Sequence, residues 1–574
     1  MKHNIFLAGL TILLLASSCS KQMNYKEYNI YDKDYIAQTF SNVGGFLTDI
    51  YNTMEYDFGN YSSGAMLGSS TDESEFSILG NGINDFYNGG WSPTNPKSST
   101  WTAMYKGIAS CNTYLTEMTG LKFEELELNK DYIQQMYRYE HYPYEVRAMR
   151  AYFYFCLVRQ YGGVPIVKEG LSAEEVNSLP RSTADEVFQY IISECDAIKD
   201  LIIEDYTNLG DYAVGTAETG RIDKLGVLAI KARTALYWAS PLFNPSNDKE
   251  RWHKAATYTK ELLDACAARK MDLTANYFDL WDTNNYATTA INKEIVFARR
   301  YFSSSSGDNV AETNNYPIGI EGGKGGNCPT QNLVDAYCMK NGKAITDPTS
   351  GYDPANPYVN RDPRFEMTVA YNGSQWPTYS GAPLLETFIG GANGQPIASA
   401  TTTGYYLRKL LHGSISLASS SKYKQDNHTY VLFRLGGIYL DYAEALFKYL
   451  GGADKTSSEF PMSAREAASK TRLRVGMPAF EEGMSDAAFW EAYKNERMVE
   501  LSFEGHRFYD VRRWKEADKY FKEIRKMQIT KNADGSFKYE ITKSARNWED
   551  KMYLFPIPQT EMQKNPALEQ NPGW

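Results

Sequence analysis

Three segments of the chain set small residues among aromatic ones at helical spacing: YEVRAMRAYFYFCLVRQY at 144–161, LGVLAIKARTALYWA at 225–239 and FRLGGIYLDYAEALFKY at 433–449. A stripe of small side chains lets a second helix approach closely while the aromatics fill the flanks, so each segment demands a helical partner. An amphipathic segment follows each one, at 183–201, 252–267 and 463–474, and a last pair spans 485–514. The pattern predicts a mostly α-helical chain built from packed helix pairs.

Such pairs resemble tetratricopeptide-type repeats, although the spacing is irregular and the full repeat signature is absent. They imply a superhelical scaffold. Between about 270 and 430 the texture changes: helical periodicity fades and Gly, Ser, Asn, Pro and Thr rise. Short strands are expected at 295–298 and 405–408. This stretch reads as a long loop-rich insertion with a few short strands, and a second loop-rich part lies at about 60–100. Loops on a rigid frame are where binding function concentrates.

The chain begins with Lys2 and a 12-residue apolar run, IFLAGLTILLLA at 5–16. A membrane-spanning helix needs ~20 residues, so the run predicts a cleaved signal peptide over 1–18. Ala16-Ser17-Ser18-Cys19 resembles a bacterial lipobox, in which cleavage precedes the cysteine and its thiol is acylated. Residues 19–24 then form a lipidated tether, and multiple acyl chains anchor stably where one does not. Residues 25–574 are expected to form a single domain. At 43% hydrophobic and 23% charged the chain is globular rather than disordered. Its net charge of −10 argues against nucleic acid as a partner. The 44 tyrosines outnumber the 26 phenylalanines, a bias toward half-wet aromatic surface. Beyond Cys19, six cysteines form no C-x-x-C; Cys156 reads as core, and pairing of Cys328 with Cys338 is left open.

Signatures of catalysis are scarce. There is no H-E-x-x-H and no G-x-S-x-G. In GIEGGKGGN at 319–327, Lys324 precedes Gly rather than Ser or Thr, which leaves a flexible loop. Asp32 and Asp34 lack the remaining ligands of a calcium loop. No cofactor and no metal is called for. The most enzyme-like stretch is NERMVELSFEGHRFYDVRRW at 495–514. Glu496, Glu500 and Glu504 share one face if the helix continues, with His506 and Asp510 nearby, and paired carboxylates serve as acid and base in glycoside hydrolases. The favoured alternative has Arg497, Arg507, Arg512 and Arg513 neutralising these acids in a packing network.

The same stretch carries a resemblance to the SusD/RagB family of outer-membrane nutrient-binding lipoproteins. The motif E-R-x-x-E-L-x-F-E-G-x-R-x-x-D-x-R-R-W runs from Glu496 to Trp514, and the chain ends YLFPIP at 553–558 and NPALEQNPGW at 565–574. Further matches are AMRAYFY at 148–154, YGGVP at 161–165, GRIDK at 220–224, DPRF at 362–365, YAEA at 442–445 and RLR at 472–474. The resemblance implies a SusD-like fold and no catalysis. It implies an oligosaccharide or glycan ligand and a SusC-like TonB-dependent transporter on which the lipoprotein sits as a lid, facing the cell exterior. The tether Ser20-Lys21-Gln22-Met23-Asn24 lacks the acidic residues that often follow the cysteine in such exported lipoproteins, so surface exposure rests on the resemblance. A glycoside hydrolase and a protein-binding helical scaffold are the alternative functions.

A sugar site needs an aromatic platform ringed by planar hydrogen-bonding groups. Two loop segments supply both. One holds Asp72, Glu73, Asp85, Trp91 and Asn95; the other holds Tyr301, Phe302, Asn315 and Tyr316, and Trp376 beside Gln375 is a third candidate. Trp91 ranks first, because no periodicity around it demands a core role, and Trp91 and Tyr316 are expected to be replaceable by Ala without loss of folding.

Overall fold

A computed structural model describes residues 32–214, 220–281, 293–301, 308–379 and 383–574. The leader, Cys19, the tether and Phe302 lie outside the described residues. The longer helices are α1 (Phe40–Tyr51), α2 (Thr100–Glu117), α3 (Tyr132–Tyr161), α4 (Ala184–Ile198) and α5 (Lys224–Ala239), then α6 (Lys249–Ala268), α7 (Leu435–Leu446), α8 (Ala464–Arg474), α9 (Asp486–Glu500) and α10 (His506–Arg513). The strands are β1 (Ser74–Phe76), β2 (Ile295–Tyr301), β3 (Asn327–Pro329) and β4 (Val369–Ala370), then β5 (Tyr406–Leu407), β6 (His428–Arg434), β7 (Glu523–Lys531) and β8 (Phe537–Ala545).

Helix starts follow from local chemistry. Thr183 and Ser463 each accept the N–H three residues on while Glu186 and Glu466 reach back to the cap N–H, closing capping boxes at α4 and α8. Asp223 caps α5 through the N–H groups of Leu225 and Gly226. From α2 to α8 each helix packs on the next, so the scaffold is a sequential stack. At its centre, every residue of α5 from Leu225 to Ala239 is buried, which is why this helix reads as apolar all round rather than amphipathic. Lys231 is admitted there because its Nζ meets Asp196 (2.7 Å) and Glu261 (3.0 Å).

Helices α6 and α7 pack together although the whole insertion separates them in sequence. The antiparallel ribbon of β2 and β6, from Ile295↔Arg434 to Tyr301↔His428, brings the end of the insertion back beside its beginning. Between these strands the loop-rich part builds an apolar core of its own, around Tyr316, Tyr337, Phe365, Trp376 and Tyr405.

The expected helix pairs are present with small boundary changes. The strand expected at 295–298 extends to Tyr301, and that expected at 405–408 shortens to Tyr406–Leu407, paired with β4. Phe433 belongs to β6 rather than to the helix that follows. The expected last pair breaks cleanly: α9 ends at Glu500 and α10 begins at His506, with Phe503 (φ 60°) and Gly505 (φ 77°) in the left-handed region between them. The β7–β8 hairpin was not expected. Its turn residues Asn532 to Gly535 carry the signal, and Met527 and Ile529 tie it to the second core. Cys328 and Cys338 are not bridged; the six described cysteines are free.

Close packing makes a sign-specific prediction. A Cβ on Gly107 of α2 would stand 2.7 Å from Phe153 of α3 and 2.8 Å from Thr53, whereas a Cβ on Gly45 of α1 meets nothing. Helix propensity favours Ala over Gly by ~1 kcal/mol, and overpacking costs ~1–3 kcal/mol. Urea denaturation is expected to find Gly45→Ala more stable than the parent and Gly107→Ala less stable.

Candidate functional site

The stretch that most suggested catalysis forms a buried ion network. Arg364 donates to Asp362 (3.1 and 2.7 Å), to Glu496 (2.6 and 3.0 Å) and to Glu500 (2.8 Å). Arg434 donates to Glu504 (2.8 and 2.7 Å), Glu294 (2.8 Å) and Glu500 (2.6 Å). Arg474 bridges Glu294 (3.0 Å) and Glu500 (2.5 and 2.6 Å), and Lys409 reaches Glu504 (2.8 Å). Burial pushes the Glu500 carboxyl up, but Arg474, Arg434 and Arg364 outweigh it and hold the group well below the usual carboxylate range. Glu504 is also held low, by Arg434 and Lys409 against burial. A general acid of a glycosidase needs the opposite shift. Glu496, Glu500 and Glu504 are each engaged by buried cations, as in a packing network, but not by the arginines expected: Arg497 and Arg513 pair with Asp510, Arg507 with Asp72, and Arg512 donates to the carbonyls of Met552 and Phe508.

Asp72 and Glu73 join this same region. Arg507 grips Asp72 through Nε (2.8 Å) and Nη2 (2.7 Å). Glu73 Oε1 accepts the N–H of Phe503 (3.1 Å), at the break between α9 and α10, while Oε2 has no hydrogen-bond partner among the described residues. Burial pushes the Glu73 carboxyl up to about 8, so it is largely neutral at pH 7. Both acids dock a loop onto the scaffold; neither is presented to a ligand.

The aromatic candidates are placed differently from expectation. Trp91 is buried against Phe86 and Phe555, with ring centroids 4.7 Å away in each case, and against Trp574 at 5.0 Å. Its Nε1 donates to the carbonyl of Pro96 (3.2 Å). Tyr316 is fully buried, its hydroxyl donating to the carbonyls of His412 (2.5 Å) and Ile415 (3.0 Å), and its ring meets the equally buried Trp376 edge-on. These three rings fill cores and offer no face to a ligand, because remote residues cover them. Asn315 is buried, and its Oδ1 accepts the backbone N–H and one side-chain N–H of Asn327. Asn95 clips its own loop through Gly90 and Asp85, and Asp85 pairs with Lys97. Tyr301 ends β2 opposite His428.

A cleft of 730 Å³ is bounded by the end of α1, the start of α2, the last turns of α3, strand β6 and the start of α10. Tyr56 is half-buried in it, with the Arg299 guanidinium 4.1 Å from its ring centroid. Tyr430 packs edge-on to Phe58. Arg159 pairs with Glu55 and lies over the Tyr509 ring at 4.2 Å. Asp57 accepts N–H groups from Leu67 (2.7 Å) and Gly59 (3.3 Å), and burial pushes its carboxyl up to about 7. Asn60 stands exposed at the rim. At the floor, burial and the guanidinium groups of Arg233, Arg497, Arg434 and Arg159 keep His506 neutral. The lining thus mixes tyrosine rings with planar amide, carboxyl and guanidinium groups, the chemistry expected of a sugar site. Sequence reasoning missed the run EYDFGNY at 55–61, whose aromatic–acid mixture without periodicity was the available signal. Among the described residues, no group of His, Cys, Asp and Glu is arranged to hold a metal ion, and no helix is long and apolar enough to cross a membrane.

Comparisons with known proteins converge. A family model described as the SusD family matches residues 293–574, and one described as starch-binding and associating with the outer membrane matches residues 28–214. A SusD-like protein of Formosa agariphila is 21% identical over 484 residues, 82% of this chain and 78% of that protein. The crystal structure of a SusD-like protein from Bacteroides fragilis superposes with a TM-score of 0.75 at 23% identity, covering 94% of this chain and 98% of that one. That of a SusD-like carbohydrate-binding protein from the same species gives a TM-score of 0.73 at 21% identity, covering 93% and 100%.

Two outcomes test the placement of these residues. Trp91→Ala is expected to cost ~3–5 kcal/mol of unfolding free energy by denaturant titration, as for a large buried aromatic. Glu73 holds a proton in the folded chain that the unfolded chain releases above its ordinary value of 4.5. Its contribution therefore falls as pH rises from 4.5 to about 8. Glu73→Gln keeps an acceptor and cannot ionise, so its melting temperature is expected to decline less than the parent's over that range; an identical decline contradicts the assignment.

Proposed function

The chain belongs to the SusD family, and from that premise we propose that it binds an oligosaccharide at the cell surface and hands it to a partner transporter. Lipid on Cys19 holds it at the outer membrane, and the partner is a SusC-like TonB-dependent barrel. The observation that carries the binding step is the cleft, where Tyr56, Tyr430, Asn60, Asp57 and Arg159 combine ring faces with planar hydrogen-bonding groups. A related chain of the same fold is described as carbohydrate-binding, which supports the ligand class. Binding rather than hydrolysis is favoured, because the glutamates of the 495–514 stretch are engaged by arginine and lysine.

Calorimetry of the purified chain against a panel of oligosaccharides tests this reading. At least one is expected to bind, and Tyr56→Ala is expected to weaken it by ~1–3 kcal/mol, the range for a stacked ring, without loss of helical circular dichroism. Undiminished affinity in Tyr56→Ala contradicts the cleft. If no oligosaccharide binds while a membrane partner still co-purifies, the protein-binding scaffold is the better account.

A further inference from the structure

The floor of the cleft holds two polar side chains that the protein itself leaves unused. Gly505, in the left-handed region (φ 77°), turns the chain out of the break after α9 and sets His506 at the first position of α10, half-buried and lining the cleft. Tyr430 reaches the same place from β6. Its hydroxyl would stand 3.1 Å from a Cβ on Gly505, so it lies against the backbone next to His506. Among the described residues, the two ring nitrogens of His506 and the Tyr430 hydroxyl have no hydrogen-bond partner, and none of the three atoms is withdrawn from water.

The charged groups around them are already engaged. Arg159 pairs with Glu55, Arg233 with Asp441 (3.2 Å) and the carbonyl of Leu432 (2.9 Å), and Glu504 with Arg434 and Lys409. Lys106 and Asp49 line the same cleft but stand exposed to water, where an ionic contact is worth little. What the floor offers a ligand is therefore uncharged. A neutral imidazole presents one N–H donor and one acceptor nitrogen, and a phenol both donates and accepts on one oxygen. A hydroxyl, which also does both, satisfies every one of these sites. A carboxylate only accepts, and strands the acceptor nitrogen. An ammonium only donates, and strands the N–H beside the guanidinium groups of Arg159 and Arg233. A polar group covered by a ligand and left unpaired is costly.

We propose that His506 and Tyr430 select the ligand at the floor: the acceptor nitrogen of the imidazole takes the O–H of an uncharged sugar, the imidazole N–H and the Tyr430 hydroxyl meet further sugar oxygens, and amino and uronic sugars are rejected. This selection rests on oligosaccharide binding in the cleft, as proposed above, and says which sugars enter it. Tyr56 supplies a ring face that any pyranose can meet, whereas a site built to hydrogen-bond a hydroxyl discriminates strongly against a ring that lacks one there.

The test is calorimetry of the whole chain at pH 6, with maltohexaose, laminarihexaose, mannohexaose and xylohexaose as uncharged probes and the hexamers of glucosamine and galacturonate as charged ones. At least one uncharged hexamer is expected to bind, and each charged hexamer to bind about tenfold or more weakly than the best of them. This comparison needs no variant. For the best probe, His506→Phe keeps a flat ring, removes both nitrogens and is expected to lose about tenfold, and Tyr430→Phe about threefold, the range for hydrogen bonds left unmade. His506→Gln restores a donor and an acceptor and is expected to recover most of the loss, which a merely structural role would not give. A charged hexamer that binds as tightly as the best uncharged one, or His506→Phe and Tyr430→Phe that both keep the parent's affinity, overturns the proposal. If Tyr56→Ala weakens binding while these two variants do not, the cleft stands and the selection at its floor fails; if no hexamer binds, both fail.

Discussion

Arg434 is the junction on which the molecule turns. It stands where β6 becomes α7, and its guanidinium reaches Glu294 at the start of the insertion, and Glu500 and Glu504 at the break between α9 and α10. Arg474 and Arg364 complete the bridge, so strand, scaffold helices and insertion meet in one cluster of charge. The carboxylates Glu294, Asp362, Glu496, Glu500 and Glu504 face the cations Arg364, Lys409, Arg434, Arg472 and Arg474, an even balance. Such a cluster is tolerated only because each charge is answered: removing one partner leaves its neighbour buried and unpaired, at ~3–5 kcal/mol. The fit extends to the backbone. A Cβ on Gly436 would lie 2.3 Å from Arg434 Nη1 and 2.7 Å from Glu500 Oε1, so only glycine opens α7 here.

This constraint is also what shapes the cleft. Glu504, Gly505 and His506 form its floor at the end of the network, and β6 forms one wall on its way to Arg434. The opposite walls come from α1, α2 and α3, where Glu145 joins Tyr51 (2.5 Å) to Arg221 (2.7 Å) and fixes the end of α1 against the scaffold. A second balanced set, Arg233, Arg497 and Arg513 with Asp441, Glu444 and Asp510, lies behind the floor. The floor of the cleft and its α1–α3 side are thus held by buried, paired charges, and preorganised groups bind a ligand at lower entropic cost than mobile ones.

Much of the fold was legible in the sequence because periodicity is a local signal. The small-and-aromatic stripes at 225–239 and 144–161 marked the helices, and the amphipathic segments at 183–201 and 463–474 marked helices that pair with such stripes. The site was far less legible, because covering is non-local. Trp91 has no periodicity around it and looked free, yet Phe555 and Trp574, from the far end of the chain, close over it. Tyr316 and Trp376 cover each other, because a loop-rich segment of this length builds a core of its own. The arginines near the 495–514 stretch suggested that its acids were paired, but the decisive partners Arg364, Arg434 and Arg474 are distant in sequence. Tyr56 and Asp57 went unremarked because their run is short and follows a helix.

The central claim is that the polar, tyrosine-lined cleft above the charge network holds the oligosaccharide. The most direct measurement is a crystal structure of the chain with a bound oligosaccharide. The account predicts sugar density along Tyr56 and Asn60, with α9 and α10 unmoved. Density instead on the Gly- and Asn-rich loops at 78–97 with the cleft left clear, or α9 and α10 shifted by the ligand, would contradict it.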